Sequence, residues 1–259
     1  MSHTRFVAVG DVMVDVTASG VGHAAQISLA PGGSAVNAAI WAAVAGADAT
    51  VVGRVGDDLG GRALRTELQE RGVGGDFSID FEAATGTFLL VDGEMRADRG
   101  ANAKFSPDDL PDVLEADVVL VSGYLPGPTV AKALERAEGT WLALAPAALD
   151  PLPPGANAIL VDDVEARRIT GSAPEEAARL LGESFRLACV TCGADGAVAV
   201  LDGRLETNRP EPVDNASPVG AGDAFAAGLL VALARGAGLH EALDAGCGLG
   251  ATVAAGVTA

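Results

Sequence analysis

The residues with most chemical capacity are Gly220-Ala221-Gly222-Asp223, followed by an apolar run from Ala224 to Ala234 that reads as a helix ending at Arg235-Gly236. Small residues at a helix start leave its first N–H groups unobstructed, and these donors, with the helix dipole, form an anion site. Asp223 falls in that first turn. A carboxylate there caps the helix, or it stands beside a bound phosphate as a general base for phosphoryl transfer.

Two further carboxylates need explaining. Arg5 to Val16 is an apolar run that reads as one buried first strand, yet it contains Asp11 and Asp15. A carboxylate at the C-terminal end of a buried strand in an open α/β sheet faces the ligand crevice or serves a turn. Pro31-Gly32-Gly33-Ser34-Ala35-Val36-Asn37 opens a helix from about Ser34 to Ala45. Its paired glycines permit close backbone approach, and Asn37 offers both donor and acceptor one turn inside. Later, Asp162-Asp163-Val164-Glu165 stands where a strand meets a helix, and such carboxylates either hold Mg²⁺ or cap the helix.

The elements that carry these residues alternate. Strands are expected at Thr50–Val55, Ala116–Ser122, Thr140–Ala145, Ala158–Val161 and Leu187–Thr191, with helices at Arg62–Arg71 and Pro128–Glu138. This wiring implies a mostly parallel sheet with right-handed crossovers. Thr17 to Ala30 is small and polar with little periodicity, a candidate flap. Thr85 to Arg96 reads as a β-hairpin turning at Asp92-Gly93 and running on into Asp98-Arg99-Gly100-Ala101-Asn102, polar enough to line a site. Arg96 and Arg99 bind an anion or remain solvated. Tyr124, at another strand end, faces a substrate or is an edge aromatic.

Composition narrows the classes. At 259 residues and 49% hydrophobic, the chain can fill one large α/β core. A formal charge of -18, with Lys104 and Lys132 the only lysines, argues against nucleic-acid binding. No apolar run reaches the ~18 residues of a membrane helix, and the N-terminus leads straight into a strand, so a cytoplasmic location is expected. Three cysteines do not suggest a disulfide framework. Cys189 and Cys192 have metal or redox spacing, but on a strand they point to opposite faces.

Taken in order, Gly32-Gly33 with Asn37, Gly53-Arg54-Val55-Gly56-Asp57-Asp58, Thr85-Gly86-Thr87, Gly100-Ala101-Asn102, Asp162 to Glu165, Thr191-Cys192-Gly193 and Gly220-Ala221-Gly222-Asp223 resemble the ribokinase, or phosphofructokinase-B, family of carbohydrate and nucleoside kinases. The resemblance runs from Val7 to about Ala255. It implies a three-layer α/β/α fold, a mostly parallel central sheet and a small β lid from about residues 17–30 and 85–97, all in one domain.

It also implies roles. Asp223 would be the general base, with the N–H groups of Gly220, Ala221 and Gly222 as the anion hole. Asp15, Gly32, Gly33 and Asn37 would hold sugar hydroxyls, with Arg99 and Tyr124 facing the acceptor. Thr191 and Gly193, with Gly220 and Gly222, would touch ATP, and Asp162 and Glu165 would position Mg²⁺ through water. The acceptor would be ribose, fructose, 2-keto-3-deoxygluconate, a phosphosugar or a nucleoside, and the protein a monomer or homodimer.

Departures from the pattern carry their own expectations. Ser217-Pro218-Val219 replaces the Asp-Thr-Thr of many members, which puts the K⁺ site associated with that aspartate in doubt. Asp162 stands for the usual Asn, Ala145 falls where ribokinases tend to place Asn, and the 17–30 segment is short. The adenine wall is expected to be incomplete. Two other readings compete. A dinucleotide dehydrogenase would need Gly-x-Gly-x-x-Gly at the first strand, but the one Gly-x-Gly at a helix start has Phe225 at the third glycine's place. A non-catalytic sensor would not need Asp223.

Overall fold

A computed structural model describes residues 4–210, 213 and 219–257. Ser217 and Pro218, on which the K⁺ expectation rests, lie outside the described residues.

The first half contains strands β1 (Arg5–Val9), β2 (Met13–Ser19) and β3 (Gln26–Gly32), helix α1 (Ser34–Val44), β4 (Asp48–Gly56), α2 (Leu59–Glu70), and strands β5 (Gly74–Asp80), β6 (Gly86–Val91) and β7 (Glu94–Asp98). Next come the short β8 (Leu114–Glu115), then β9 (Val118–Ser122), α3 (Gly127–Arg136), the short β10 (Ala137–Glu138), β11 (Trp141–Ala145) and β12 (Ala158–Asp162). The last third holds α4 (Asp163–Thr170), α5 (Pro174–Gly182), β13 (Leu187–Thr191), β14 (Ala197–Leu201), β15 (Arg204–Asn208), α6 (Ala221–Ala234) and α7 (Leu239–Ala254). Among the described residues, no helix is long and apolar enough to cross a membrane.

Nine strands form the main sheet in the order β15-β14-β13-β12-β11-β9-β1-β4-β5, parallel except where β14 and β15 add antiparallel at one edge. Its core splits by residue parity, because successive side chains on a strand point to opposite faces. Phe6, Ala8, Val118, Leu120 and Leu160 pack with α1, α6 and α7. Val9, Val119 and Val121 pack with α3, whereas Ile159 and Val161 pack with α5. The same parity separates Cys189, which lies with the first layer, from Cys192, which packs against the other; all three cysteines are free thiols.

The expected single strand from Arg5 to Val16 is interrupted. β1 ends at Val9 and β2 starts at Met13 in a different sheet, because the Asn102 side chain takes both the N–H of Val12 (2.9 Å) and its carbonyl (2.9 Å) out of any ladder. Asn102 is completely buried, so it braces the backbone rather than lining a site.

The 17–30 segment is not an irregular flap either. It forms most of the β2–β3 hairpin, paired from Met13↔Gly32 to Ser19↔Gln26, and β2 pairs in turn with β6. With β7 these strands make a second, four-stranded sheet in the order β3-β2-β6-β7. Its other hairpin turns at Asp92 (φ 49°) and Gly93 (φ 84°), the two left-handed residues that an Asp-Gly turn supplies.

The two sheets are joined at Thr85, just ahead of β6. Asp58 caps α2 by accepting from the N–H of Gly61 (2.8 Å), and it also accepts from the N–H (2.7 Å) and hydroxyl (2.6 Å) of Thr85. The Thr85 hydroxyl in turn accepts from the N–H of Gly56 (3.0 Å). Asp58→Ala removes the helix cap and both of its bonds to a buried Thr85, and we expect a loss of roughly 2–4 kcal/mol in chemical denaturation, more than a helix cap alone provides.

Candidate active site

The parallel sheet changes winding direction between β1 and β9, and ligands of open α/β sheets bind outside the strand ends at such a point. A cleft of about 560 Å³ opens there. Asp11 reaches it from the end of β1, Ser122 and Tyr124 from the end of β9, Asp162 from β12 and Thr191 from β13. The helices α1 and α6 bring their N-termini to the same cleft, and Met13, Asp15 and Phe88 enter from the four-stranded sheet.

Gly220 is the N-cap of α6, with a left-handed φ of 78° and no side chain to satisfy the helix. The first amide to bond back is that of Ala224, onto the carbonyl of Gly220 (3.1 Å), and the earlier N–H groups have no partner among the described residues. A Cβ at Gly222 would meet none of the described residues within 4 Å. The helix behind it is fixed by close packing. A Cβ at Gly228 would come within 2.8 Å of the Ala245 carbonyl, and one at Gly246 within 2.9 Å of the Phe225 carbonyl. Glycines at the α6–α7 crossing therefore let the two backbones approach closely.

Asp223 stands in that first turn, and the Asn37 amide, from the first turn of α1, donates to its Oδ2 (3.2 Å). Burial pushes its carboxyl up to about 6, while hydrogen bonds from Asn37 and Ser34 pull down and the charge of Asp15 pushes up. Burial likewise lifts Asp15 to about 6. Gly32 is what lets Asp15 occupy its place, since a Cβ there would overlap the carboxylate. Gly33 has a φ of 94°, and any Cβ would collide with the Asp11 carbonyl.

Among the expected site residues, Asp15, Gly33, Asn37, Arg99, Tyr124, Asp162, Glu165, Thr191, Gly220, Gly222 and Asp223 all line the cleft. Gly32 and Ala221 support it through backbone and space rather than as lining. Gly193, left-handed at φ 55°, follows β13 and is not part of the lining. Arg96 is elsewhere, exposed on β7 and paired with Glu94 (3.1 Å), so the second cation that a phosphosugar would need is not in the cleft.

Asp162 and Glu165 form a reciprocal capping box on α4: Asp162 Oδ1 accepts from the N–H of Glu165 (2.7 Å) and Glu165 Oε2 from the N–H of Asp162 (3.1 Å). One oxygen of each carboxylate is left over. Among the described residues, no three His, Cys, Asp or Glu side chains converge as a metal cage. The pair therefore fits a divalent ion whose remaining ligands are phosphate oxygens and water.

Two contributors escaped the sequence reading. Ser34 lines the cleft and pulls the Asp223 carboxyl down, and Asp11, recognised only as a carboxylate needing an explanation, pairs with Arg99 (3.1 Å). Burial raises the Asp11 carboxyl despite that partner. The Tyr124 phenol is also raised, by burial first and then by Glu165, Asp223, Asp162 and Asp11, so these carboxylates all act on one point at the cleft mouth.

A base raised by burial must lose its proton before it can accept another. If Asp223 is that base, log kcat/KM rises by about one per pH unit below about 6 and is flat above it. Initial rates between about pH 5 and about pH 8 check this, and a profile flat through pH 6 would remove Asp223 from the role.

The family model described as "pfkB family carbohydrate kinase" matches residues 3–257. The chain is 30% identical to a fructokinase of Klebsiella pneumoniae, covering 87% of this chain and 83% of that one. It is 30% identical to a ribokinase of Bacillus subtilis, covering 82% and 77% respectively. A solved fructokinase from Vibrio cholerae, in a form bound to fructose, ADP and calcium, superposes with a TM-score of 0.82 at 21% identity, covering 98% of this chain and 94% of the other.

Proposed function

Since the chain belongs to the pfkB family of carbohydrate kinases, and is therefore a phosphotransferase, we propose that it moves the γ-phosphoryl group of ATP to a hydroxyl of a small sugar or sugar derivative in the cleft between α1 and α6. One observation carries this reading: the N–H groups at the start of α6, without partners among the described residues, stand one residue from a carboxylate that a neutral amide holds in place. Such an arrangement supports reading the carboxylate as a proton acceptor and the helix start as a phosphate cradle.

In this reading Asp15 and Asn37 orient the acceptor hydroxyls, Gly32 and Gly33 make room for them, and Tyr124 covers the mouth. Asp223 takes the proton from the attacking oxygen. The N–H groups of Gly220, Ala221 and Gly222 stabilise charge that grows on the transferring group, which needs positioning and electrostatics more than covalent help. Thr191 and Gly193 border the nucleotide. Asp162 and Glu165 would hold Mg²⁺ through water; when bound, the ion offsets charge on the phosphates. The four-stranded sheet acts as the lid of a single kinase domain.

The test is coupled ADP release with Mg-ATP against pentoses, hexoses, their phosphates, 2-keto-3-deoxygluconate and nucleosides. Saturable turnover of one acceptor is the expected result. ATP binding without turnover of any of them would overturn the assignment of the acceptor class.

A further inference from the structure

The Asp11–Arg99 pair has a feature that the proposed reaction does not use. Arg99 lies just past the end of β7 and Asp11 just past the end of β1, so the pair spans the two sheets at the floor of the cleft. Arg99 Nη2 donates to Asp11 Oδ1 (3.1 Å), and Asp11 is only 6% exposed. Arg99 Nε is buried and has no hydrogen-bond partner among the described residues. Among the described residues Asp11 Oδ2 accepts nothing from the protein. One donor and one acceptor therefore stand unused on adjacent groups that both line the cleft.

Charge decides what they can take. Arg99 is the one cation among the described lining residues, facing the carboxylates of Asp11, Asp15, Asp162, Glu165 and Asp223. A phosphate or carboxylate on the acceptor would find a single positive group, already matched by Asp11 and only partly exposed. It would have to displace that bond and leave Asp11 buried and unpaired, which is strongly unfavourable. A hydroxyl costs nothing of the kind, since its oxygen accepts from the exposed part of the Arg99 guanidinium while a neighbouring hydroxyl donates to Asp11 Oδ2.

We propose that the Asp11–Arg99 ion pair reads two neighbouring hydroxyls on an uncharged polyhydroxylated acceptor and rejects acceptors that carry a phosphate or carboxylate. This rests on the cleft being the acceptor site. It narrows the substrate class to neutral sugars and nucleosides, against phosphosugars and sugar acids.

The test compares fructose with fructose 1-phosphate, and glucose with gluconate, by kcat/KM with Mg-ATP and by calorimetric binding without nucleotide. Wild-type protein should favour the neutral member of each pair. Asp11→Asn frees the guanidinium and should shift the neutral-to-anionic ratio by about tenfold toward the anion, the size of one charge-assisted hydrogen bond. Arg99→Gln keeps the negative charge of Asp11, removes the positive charge that an anion would pair with and should shift the ratio the other way.

A bracing role alone would weaken both members equally and leave the ratios unchanged in both variants, which overturns the proposal. Wild-type preference for an anionic member overturns it too. Failure of turnover with every acceptor would count against the kinase substrate reading, and the calorimetric ratios would still decide the role of the pair.

Discussion

Asp223→Asn lowers kcat by about 10³-fold while the protein folds and binds ATP as before, because one general base contributes roughly 10²–10⁴ to such a rate. The substitution is nearly isosteric, and a carboxamide oxygen still accepts from Asn37, now at 3.2 Å from Oδ2. What disappears is the lone pair basic enough to receive the hydroxyl proton. Steady-state rates, with nucleotide affinity measured separately, distinguish the two effects. A variant with near-normal kcat would show that the proton leaves by another route, and unchanged ATP affinity is what separates lost basicity from a damaged helix start.

Asn102→Ala should have the second largest effect, and on two properties at once. The amide holds the N–H and carbonyl of Val12, both buried, and the partly buried carbonyl of Arg99 (3.1 Å). Truncation leaves those backbone groups without partners, at about 1–3 kcal/mol for each one buried, so a total near 3–5 kcal/mol is expected. Val12 lies between Asp11 and Met13, both in the cleft lining. Loosening it should therefore also raise the acceptor KM with little change in the KM for ATP. Urea unfolding and paired KM measurements check both parts. Equal increases in the two KM values would mean that the damage is global rather than confined to the join between the sheets.

The parts of the fold that could be read from the sequence are those set by neighbours along the chain. The Asp92-Gly93 turn, the small-residue start of α6 and the strand-to-helix step at Asp162 follow from local conformational preference and capping chemistry, and each is present. The parts that could not be read are set from far away. Asp11 and Asp15 stand out in Arg5 to Val16, but apolar residues resume after each and the run reads as one strand; the break is made by Asn102, 90 positions after Val12.

The Asp11–Arg99 partnership spans 88 positions and was equally invisible. β5 opens with Gly74-Gly75-Asp76, residues that disfavour strands, and forms because β4 offers it a ladder. At the site, residue types that suggested chemistry do gather in one cleft. For Asp162 and Glu165 the sequence offered capping or Mg²⁺ binding as alternatives, and the capping box that forms leaves one oxygen of each uncommitted.

Asp15 and Asp223 also set the chain's evolutionary options. Their partners are neutral or absent among the described residues, and burial holds both carboxyls near 6 when folded, above the ordinary range near 4 that they recover when unfolded. The sign follows directly: these groups favour folding below about pH 4, and that contribution is lost as pH rises through about 6. At neutral pH the folded chain carries two charges that it would be more stable without. Replacing either by its amide should raise the melting temperature near pH 7, so selection for heat resistance alone would remove these residues early. Their persistence would then measure how strongly catalysis is being selected.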